Sequence, residues 1–598
     1  LAAPLLARAP SRPRELLPLA VAAGALIQTL GIGAGGWVAP ALGFIVLVWL
    51  ARERLAGLPR SALSLASCGG LTAAFVVPVW VVLGAFLSKD AGLFSTGQST
   101  ATRMGNLIQP LSGWQLAGVW PAGDFRVGQN SYLSLTAPTL VSALLIVLVL
   151  LAAICTLAVC ARRGQYGPAL FVVAALGGCA ILYVAGTTPW VIGKALAISS
   201  PALLAAALIG TGMLWSGHRL RTVGGTGRLT RVWSRHGWLV GMLATVAIGA
   251  GVLWSNALAY HDATLAPRDR LAELQRIGEL VASKGPTLLN EYEVYADRHF
   301  LREGAPVEPA EYRSVLLALR DGVLLTKNGT ADLDSFPLAT IEPYRSIVTR
   351  RSPAESRPPS IYRLVWQGRY YQLWQRPEHP STSILEHVPL GESNTLPYCG
   401  AAQDAPSRPL CSVDPVAVPS CAQVRSLGRQ AAREHAQLVA YQRPAPIVAR
   451  GEETLWPASW LHNTESHTLT PTTPGQAVTH IAVASSQSYE LWLLGLFARG
   501  FVVSVDGRQV GRVKNELGGE DWVQVADVPL TSGVHTFTIT YPHSDLTPGS
   551  GDNSFTSLSA IALAAHSPPS ELINVSPQQA SQLCNRPLDW IEIVTGAG

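Results

Sequence analysis

Apolar and polar residues divide this chain near residue 260. Upstream, long uncharged runs alternate with short basic loops. Residues 238–260 form such a run. About 20 apolar residues suffice to cross a bilayer, and Trp238, Trp254 and Tyr260 near its ends suit the membrane interface. The apolar run over 16–51 is too long for one span, and Gly31-Ile-Gly-Ala-Gly-Gly36 within it predicts a break into two short helices. Runs over 61–87, 137–159, 168–185 and 191–215 bring the expected spans to about seven, with a polar loop over 88–135.

Downstream the period changes. Leu271, Leu274, Ile277, Leu280 and Val281 recur at helical spacing and predict an amphipathic helix ending at Gly285-Pro286. Residues 287–291 and 322–327 read as strands, 311–320 as a helix, and 361–374 as a hairpin turning at Gln367-Gly368. Such alternation predicts an α/β domain over 261–378, followed by a Pro-rich linker over 379–419. From 420 to 598 short strands dominate. Asp506-Gly507 marks a hairpin turn, and Phe537, Ile539 and Tyr541 alternate onto one face. The fold class expected is a polytopic α-helical membrane domain over 1–260, then an α/β domain and a jelly-roll-like β-sandwich.

Charge orients this arrangement. The loops with Arg52, Arg54, Arg60, Arg162, Arg163 and the five arginines from Arg219 to Arg235 are expected to be cytoplasmic, because cytoplasmic loops are enriched in Lys and Arg. The opposite loops carry only Lys89, Arg103 and Arg126. Residues after 260 are therefore expected outside the cell or in the periplasm. Charged residues make up 14% of the 598 residues, against roughly 25% in soluble domains. The net charge of +5 resides largely in the basic loops and calls for no nucleic-acid partner. The chain begins at Leu1 rather than Met, so a preceding segment is expected.

Eight cysteines divide evenly. Cys68, Cys155, Cys160 and Cys179 lie in apolar runs; Cys399, Cys411, Cys421 and Cys584 lie in the part expected outside, where an even count suggests disulfides. Locality and module closure favour Cys399–Cys411 and Cys421–Cys584, with the two other pairings open. The spacing does not resemble a zinc site.

Candidate chemistry is scattered. The 88–135 loop holds Trp114, Trp120, Phe125, Asp124 and Arg126, a mix able to stack on sugar and clamp phosphate, or simply to seat a turn at the interface. Lys194 near the start of its span can snorkel or hold a lipid phosphate. Glu291, Glu293, Asp297, Arg298 and His299 form a polar cluster that can equally be a solvated loop. In the sandwich, Tyr489, Trp492, Trp522 and Trp590 are candidate sugar platforms or core. If the Tyr489 face is the core, alternation in Tyr489-Glu-Leu-Trp492 leaves Trp492 exposed beside Glu490 and favours it over Tyr489; Trp492 and Trp522 are taken as the glycan-binding candidates. Asp545, Asp552 and Asn553 can hold calcium or close turns. No phosphate loop, metalloprotease motif or nucleophile elbow is present. No cofactor is called for, a divalent metal being the one left open.

The architecture resembles the C-terminal part of a bacterial cell-envelope glycosyltransferase of the GT-C superfamily. The resemblance is carried by Gly105-Asn-Leu to Asp124-Phe-Arg126, Gly193-Lys-Ala-Leu-Ala-Ile-Ser-Ser-Pro201, Tyr370-Tyr-Gln-Leu-Trp-Gln-Arg376, and Tyr489-Glu-Leu-Trp-Leu-Leu-Gly495 with Val505-Asp-Gly507. Such enzymes take sugars from polyprenyl phosphate on the outer face. Some, such as the arabinofuranosyltransferases, carry exported carbohydrate-binding sandwiches. The resemblance implies membrane lipid, a polyprenyl-phosphate donor and cell-envelope polysaccharide as partners. It places the catalytic carboxylate in the first outer loop, whereas the 31–36 turn has no acid. That loop then precedes this chain, or the chain is a non-catalytic, membrane-anchored glycan-binding protein. A transporter is disfavoured by the scarcity of ionisable residues within the spans.

Overall fold

The structure is a computed structural model. It describes residues 16–30, 35–53, 58–77, 110–120, 137–184, 188–215, 228–262, 268–289, 297–304, 306–307, 317–320, 322, 324, 331–391, 416–463, 468–497, 499–513, 521–545, 556–566, 568 and 570–596. The chain forms two units, Leu1–Tyr260 and His261–Gly598.

The first unit is helical: α1 (Leu16–Leu30), α2 (Gly35–Glu53), α3 (Leu58–Phe75), α4 (Ala137–Arg162), α5 (Tyr166–Val184), α6 (Pro189–Trp215) and α7 (Arg228–Asp262). Among the described residues, four of the expected spans are long and apolar enough to cross a membrane, within α4, α5, α6 and α7. The apolar run over 16–51 does break into α1 and α2. Residues 78–87 of the expected 61–87 span lie outside the described residues. Small residues let the helices approach. A Cβ on Gly210 of α6 would meet the Ala152 carbonyl and Thr156 of α4, as membrane helix interfaces require. Thr156 donates to the Ala206 carbonyl, Ser199 to the Ala175 carbonyl at 2.8 Å, and Thr245 to Thr211 at 2.8 Å. Polar hydroxyls inside the bundle therefore bond to neighbouring helices. Outward, α7 presents Leu243, Val246, Leu253 and Trp254, all exposed, a surface suited to lipid rather than water.

The second unit opens with α8 (Arg268–Val281), which buries Leu274, Ile277 and Val281 and half-buries Leu271 and Leu280, the stripe read from its spacing. It packs on a mixed five-stranded sheet, order β2-β1-β3-β5-β4, of β1 (Thr287–Leu289), β2 (Pro306–Val307), β3 (Ser346–Arg350), β4 (Arg363–Gln367) and β5 (Tyr371–Gln375). β1 runs parallel to β2 and β3; β3, β5 and β4 are antiparallel. The β4–β5 turn is held by Glu273 of α8, whose carboxylate accepts the backbone N–H groups of Arg369, Tyr370 and Tyr371 at 2.7, 2.9 and 3.1 Å. Residues 311–316 of the expected helix lie outside the described residues, and 317–320 are not helical: Ala318 forms an isolated antiparallel bridge with Leu324.

The stretch read as a linker contains a strand. β6 (Thr382–Pro389) pairs with the last strand, β19 (Leu588–Gly596), and with β7 (Gln437–Gln442) and β18 (Leu572–Val575) forms an antiparallel sheet of order β18-β7-β19-β6. Proline-rich surroundings hid a strand whose partner lies some two hundred residues away. Helix α9 (Cys421–Arg433), capped by Ser420 Oγ accepting from the Gln423 N–H, covers this sheet. The Cys421–Cys584 disulfide, Cα atoms 5.1 Å apart, ties α9 to the turn before β19. It closes this sheet, not the sandwich. Cys399 and Cys411 lie outside the described residues.

The sandwich is inserted between β7 and β18. One sheet has the order β15-β12-β17-β10-β9, with β8 (Ile447–Arg450) also on β17; its strands are β9 (Leu461–Asn463), β10 (Thr468–Thr470), β12 (Gln487–Phe497), β15 (Asp521–Leu530) and β17 (Thr556–Ala565). The other, order β11-β16-β13-β14, comprises β11 (Gly475–Val483), β13 (Val502–Val505), β14 (Arg508–Arg512) and β16 (Gly533–Tyr541). Asp506 and Gly507 join β13 to β14 with φ of 49° and 80°, the two positive values a tight hairpin turn requires. Tyr489, Leu491, Leu493, Phe537 and Ile539 fill the core between the sheets.

The other face of β12 is where expectation and structure part. Trp492 does lie opposite Tyr489, on the side of Glu490, but it is 2% exposed, and Trp522 is 3% exposed. They pack with Leu494, Ala560 and Ala562. Side chains of α8, β3 and the β4–β5 turn reach this face. Asp521 is paired with Arg270 at 3.4 Å and Arg350 at 3.2 Å, and the Arg369 guanidinium donates to the Gln524 carbonyl at 2.9 Å. Neither Trp is therefore a solvent-facing platform. Alternation places a side chain on a face without saying what covers it.

Candidate functional site

Where the mixed sheet, the β7 sheet and the sandwich meet, a cleft of about 120 Å³ opens. The segment after β3 supplies Arg351, Ser352, Glu355 and Arg357; β5 supplies Trp374; β7 and its extension supply Tyr441 and Arg443; the sandwich supplies Glu490, Trp492 and His566. Arg351 spans the two sides. It donates to the Gly368 carbonyl at 3.2 Å, to Gln524 Oε1 at 2.5 Å and to Glu490 Oε1 at 3.0 Å. Its guanidinium lies 5.4 Å from the Trp492 ring centre, a cation–π distance. Two buried donors in the lining residues, Trp492 Nε1 and Arg443 Nε, have no hydrogen-bond partner among the described residues. Such groups cost about 1–3 kcal/mol each and suit a ligand with acceptor oxygens.

Behind the cleft lies a buried charged network. Arg357 sits among the rings of Trp374, Tyr441 and Trp590 at 5.1, 5.5 and 5.6 Å. Burial pushes its pKa down to about 10 against the opposing pull of Glu592, Tyr441 and Asp589. Three acidic side chains pin the backbone of the cleft segment. Asp332 accepts from Ser356 N–H at 3.1 Å and from its hydroxyl, Asp589 from Arg357 N–H at 2.9 Å, and Glu592 from Ser360 N–H at 3.1 Å. Burial, then the Asp334 charge, pushes Asp332 up to about 8. Burial also raises Asp589, to about 6, while Arg443 at 3.4 Å pulls it down. His387 is buried between Glu592 Oε1, 2.7 Å from Nδ1, and Asp334 Oδ1, 3.1 Å from Nε2. Burial alone would lower its pKa; the hydrogen bonds to Asp334 and Glu592 outweigh that and hold it at about 9. His387 is thus an imidazolium donating from both nitrogens.

Of the residues singled out from sequence, Trp492 alone of the proposed binding residues lines this cleft. Trp590 and Tyr489 are core. Trp114 is exposed on a 3₁₀ turn (Gly113–Ala117) capped by Ser112. Trp120 is half-buried, its backbone N–H donating to Ser255 Oγ at 3.0 Å. Lys194 is exposed, Nζ 4.8 Å from the Trp190 ring centre. Asp124, Arg126, Glu291, Glu293, Asp552 and Asn553 lie outside the described residues. His299 lies edge-on to Phe300 in a short helix. Among the described residues no group of three or more His, Cys, Asp or Glu is placed to hold a metal. Sequence reasoning missed Arg351, Arg357 and Arg443. One signal was available: Asp589 and Glu592 interrupt the apolar Leu588-Asp-Trp-Ile-Glu-Ile-Val594, and buried carboxylates need partners.

No protein-family model and no curated protein matches the chain. Seventeen chains of solved structure do. A GH26-CBM35 β-(1,4)-mannanase of Podospora anserina matches with 14% identity over 21% of this chain and 28% of its own, TM-score 0.17. This chain therefore spans about a quarter of that enzyme. A CBM36-1 domain of a xylanase from the hindgut metagenome of Trinervitermes trinervoides matches with 10% identity over 21% of this chain and 99% of its own, TM-score 0.17. A family 35 carbohydrate-binding module from Clostridium thermocellum matches with 14% identity over 21% and 96%, TM-score 0.14. At TM-scores this low, the function of this chain has to be read from its own residues.

Proposed function

We propose that this protein handles a cell-envelope glycan at a membrane, and that its His261–Gly598 unit holds the glycan in the Arg351–Trp492 cleft. The observation that carries this reading is the cleft lining. Rings from Trp374, Tyr441 and Trp492 stand beside guanidinium, carboxylate and amide groups, together with two unpartnered buried donors. A polyol offers apolar ring faces, acceptor oxygens and donor hydroxyls together, and matches that mixture. An apolar ligand would leave the polar groups unpaired, at a cost.

Transfer of a sugar from a polyprenyl-phosphate donor is the finer part of the proposal, and the GT-C resemblance supports it. Lys194, exposed beside Trp190, is a cation of the first unit suited to a lipid phosphate; no catalytic residue is assigned. The alternative, glycan binding without transfer, shares the same cleft.

The test is titration of the full chain in nanodiscs with arabinan, mannan and galactan hexasaccharides. At least one is expected to bind, and Trp492→Phe, which keeps a ring and removes the unpartnered Nε1 donor, to weaken binding about tenfold, or about 1.4 kcal/mol. No binding by any of the three, or unchanged binding by Trp492→Phe, rejects the cleft. Incubation with a radiolabelled polyprenyl-phosphate sugar decides between transfer and binding alone.

A further inference from the structure

The cleft has a volume of about 120 Å³, well below the roughly 300–1,000 Å³ of small-molecule pockets. One side chain bridges its two sides. Arg351 is 9% exposed and belongs to the segment that follows the mixed sheet, yet two of its three acceptors, Gln524 and Glu490, belong to the sandwich. It also covers the ring of Trp492. A sugar cannot reach the ring face or the Glu490 oxygen that Arg351 occupies while those contacts stand.

We propose that Arg351 is a latch: the structure shows the closed form of the cleft, and a polyhydroxylated ligand enters by replacing Arg351 at Glu490 and Gln524. Its hydroxyls donate to Glu490 in place of the guanidinium, and its oxygens accept from Trp492 Nε1 and Arg443 Nε, the donors that the closed form leaves without partners. The exchange conserves hydrogen bonds, which lets it proceed without a covalent step or a cofactor. Arg351 keeps the Gly368 carbonyl, an acceptor on its own side, as it swings. The inference rests on the glycan reading only for the identity of what enters; the latch itself is a property of the empty cleft.

The experiment uses the full chain in nanodiscs with Ala564→Cys, a half-buried lining residue paired with Glu490 on the Trp492 face of β17, and measures its modification by a membrane-impermeant charged maleimide. The chain without Ala564→Cys supplies the background from the native cysteines. Arg351→Gln is expected to speed modification about tenfold, Arg351→Lys less, and Gln524→Ala several-fold, while Arg512→Gln on β14, away from the cleft, leaves it unchanged. Circular dichroism and thermal midpoints exclude variants that do not fold; Gln524→Ala carries the test if Arg351→Gln is among them. A change below twofold in the folded variants overturns the latch whether or not any glycan binds. Slower modification in the presence of one of the three hexasaccharides supports entry of the polyol. Faster modification by Arg351→Gln with no protection by any hexasaccharide upholds the latch and counts against the glycan reading.

Discussion

Asp521→Asn is the sharpest perturbation this fold offers. Asp521 is 2% exposed and lies 3.4 Å from Arg270 and 3.2 Å from Arg350, themselves 2% and 7% exposed. Asparagine keeps the volume and removes the negative charge that faces two buried guanidiniums. Removing one partner of a buried ion pair costs about 3–5 kcal/mol, chiefly because the remaining charge stays desolvated. For a unit of this size about 1 kcal/mol corresponds to about 2 °C, so the midpoint of the His261–Gly598 unit should fall by roughly 6–10 °C. Differential scanning calorimetry of the full chain in nanodiscs reads this as a shift of the transition assigned to that unit. The same substitution loosens β15 against α8 and β3, so accessibility of a cysteine at Ala564, on the covered face, should rise. A midpoint shift below about 2 °C would refute the claim that this pairing holds the sandwich to the mixed sheet.

The remaining predictions concern pH and the disulfide. His387, held at about 9 against an ordinary value of 6.5, stabilises the fold fully below pH 6.5 and loses that contribution as pH rises through 9. Asp332, held at about 8 against 3.8, resists ionisation in the folded state, so its effect also makes stability fall as pH rises from about 4 to 8. The thermal midpoint should therefore drop between pH 6.5 and 9, and by less in His387→Gln; a flat or rising profile contradicts the assignment. Cys421–Cys584 joins residues 163 apart, for which loop-closure entropy gives about 5 kcal/mol. Reduction should lower the midpoint by roughly 10 °C at about 2 °C per kcal/mol, and non-reducing peptide mapping should recover Cys421 linked to Cys584.

The sequence by itself determined what depends on neighbours along the chain. Uncharged apolar runs predicted α4 to α7, because a bilayer-length helix needs nothing but its own residues. Spacing marked the buried stripe of α8, and Asp506-Gly507 marked a hairpin because two positive φ angles are a local demand. Tyr489 was assigned a face correctly by alternation. Only the tertiary structure decided what those faces meet. β6 looked like linker because its partner β19 is at the other end of the chain. Trp492 looked exposed because nothing near it in sequence announces that Arg351 will cover it. The cleft draws on residues from Arg351 to His566, and the carboxylates behind it come from positions 332, 334, 589 and 592. Local periodicity records which side of an element a residue faces; which surface closes over that side follows from long-range packing and the pairing of buried charges.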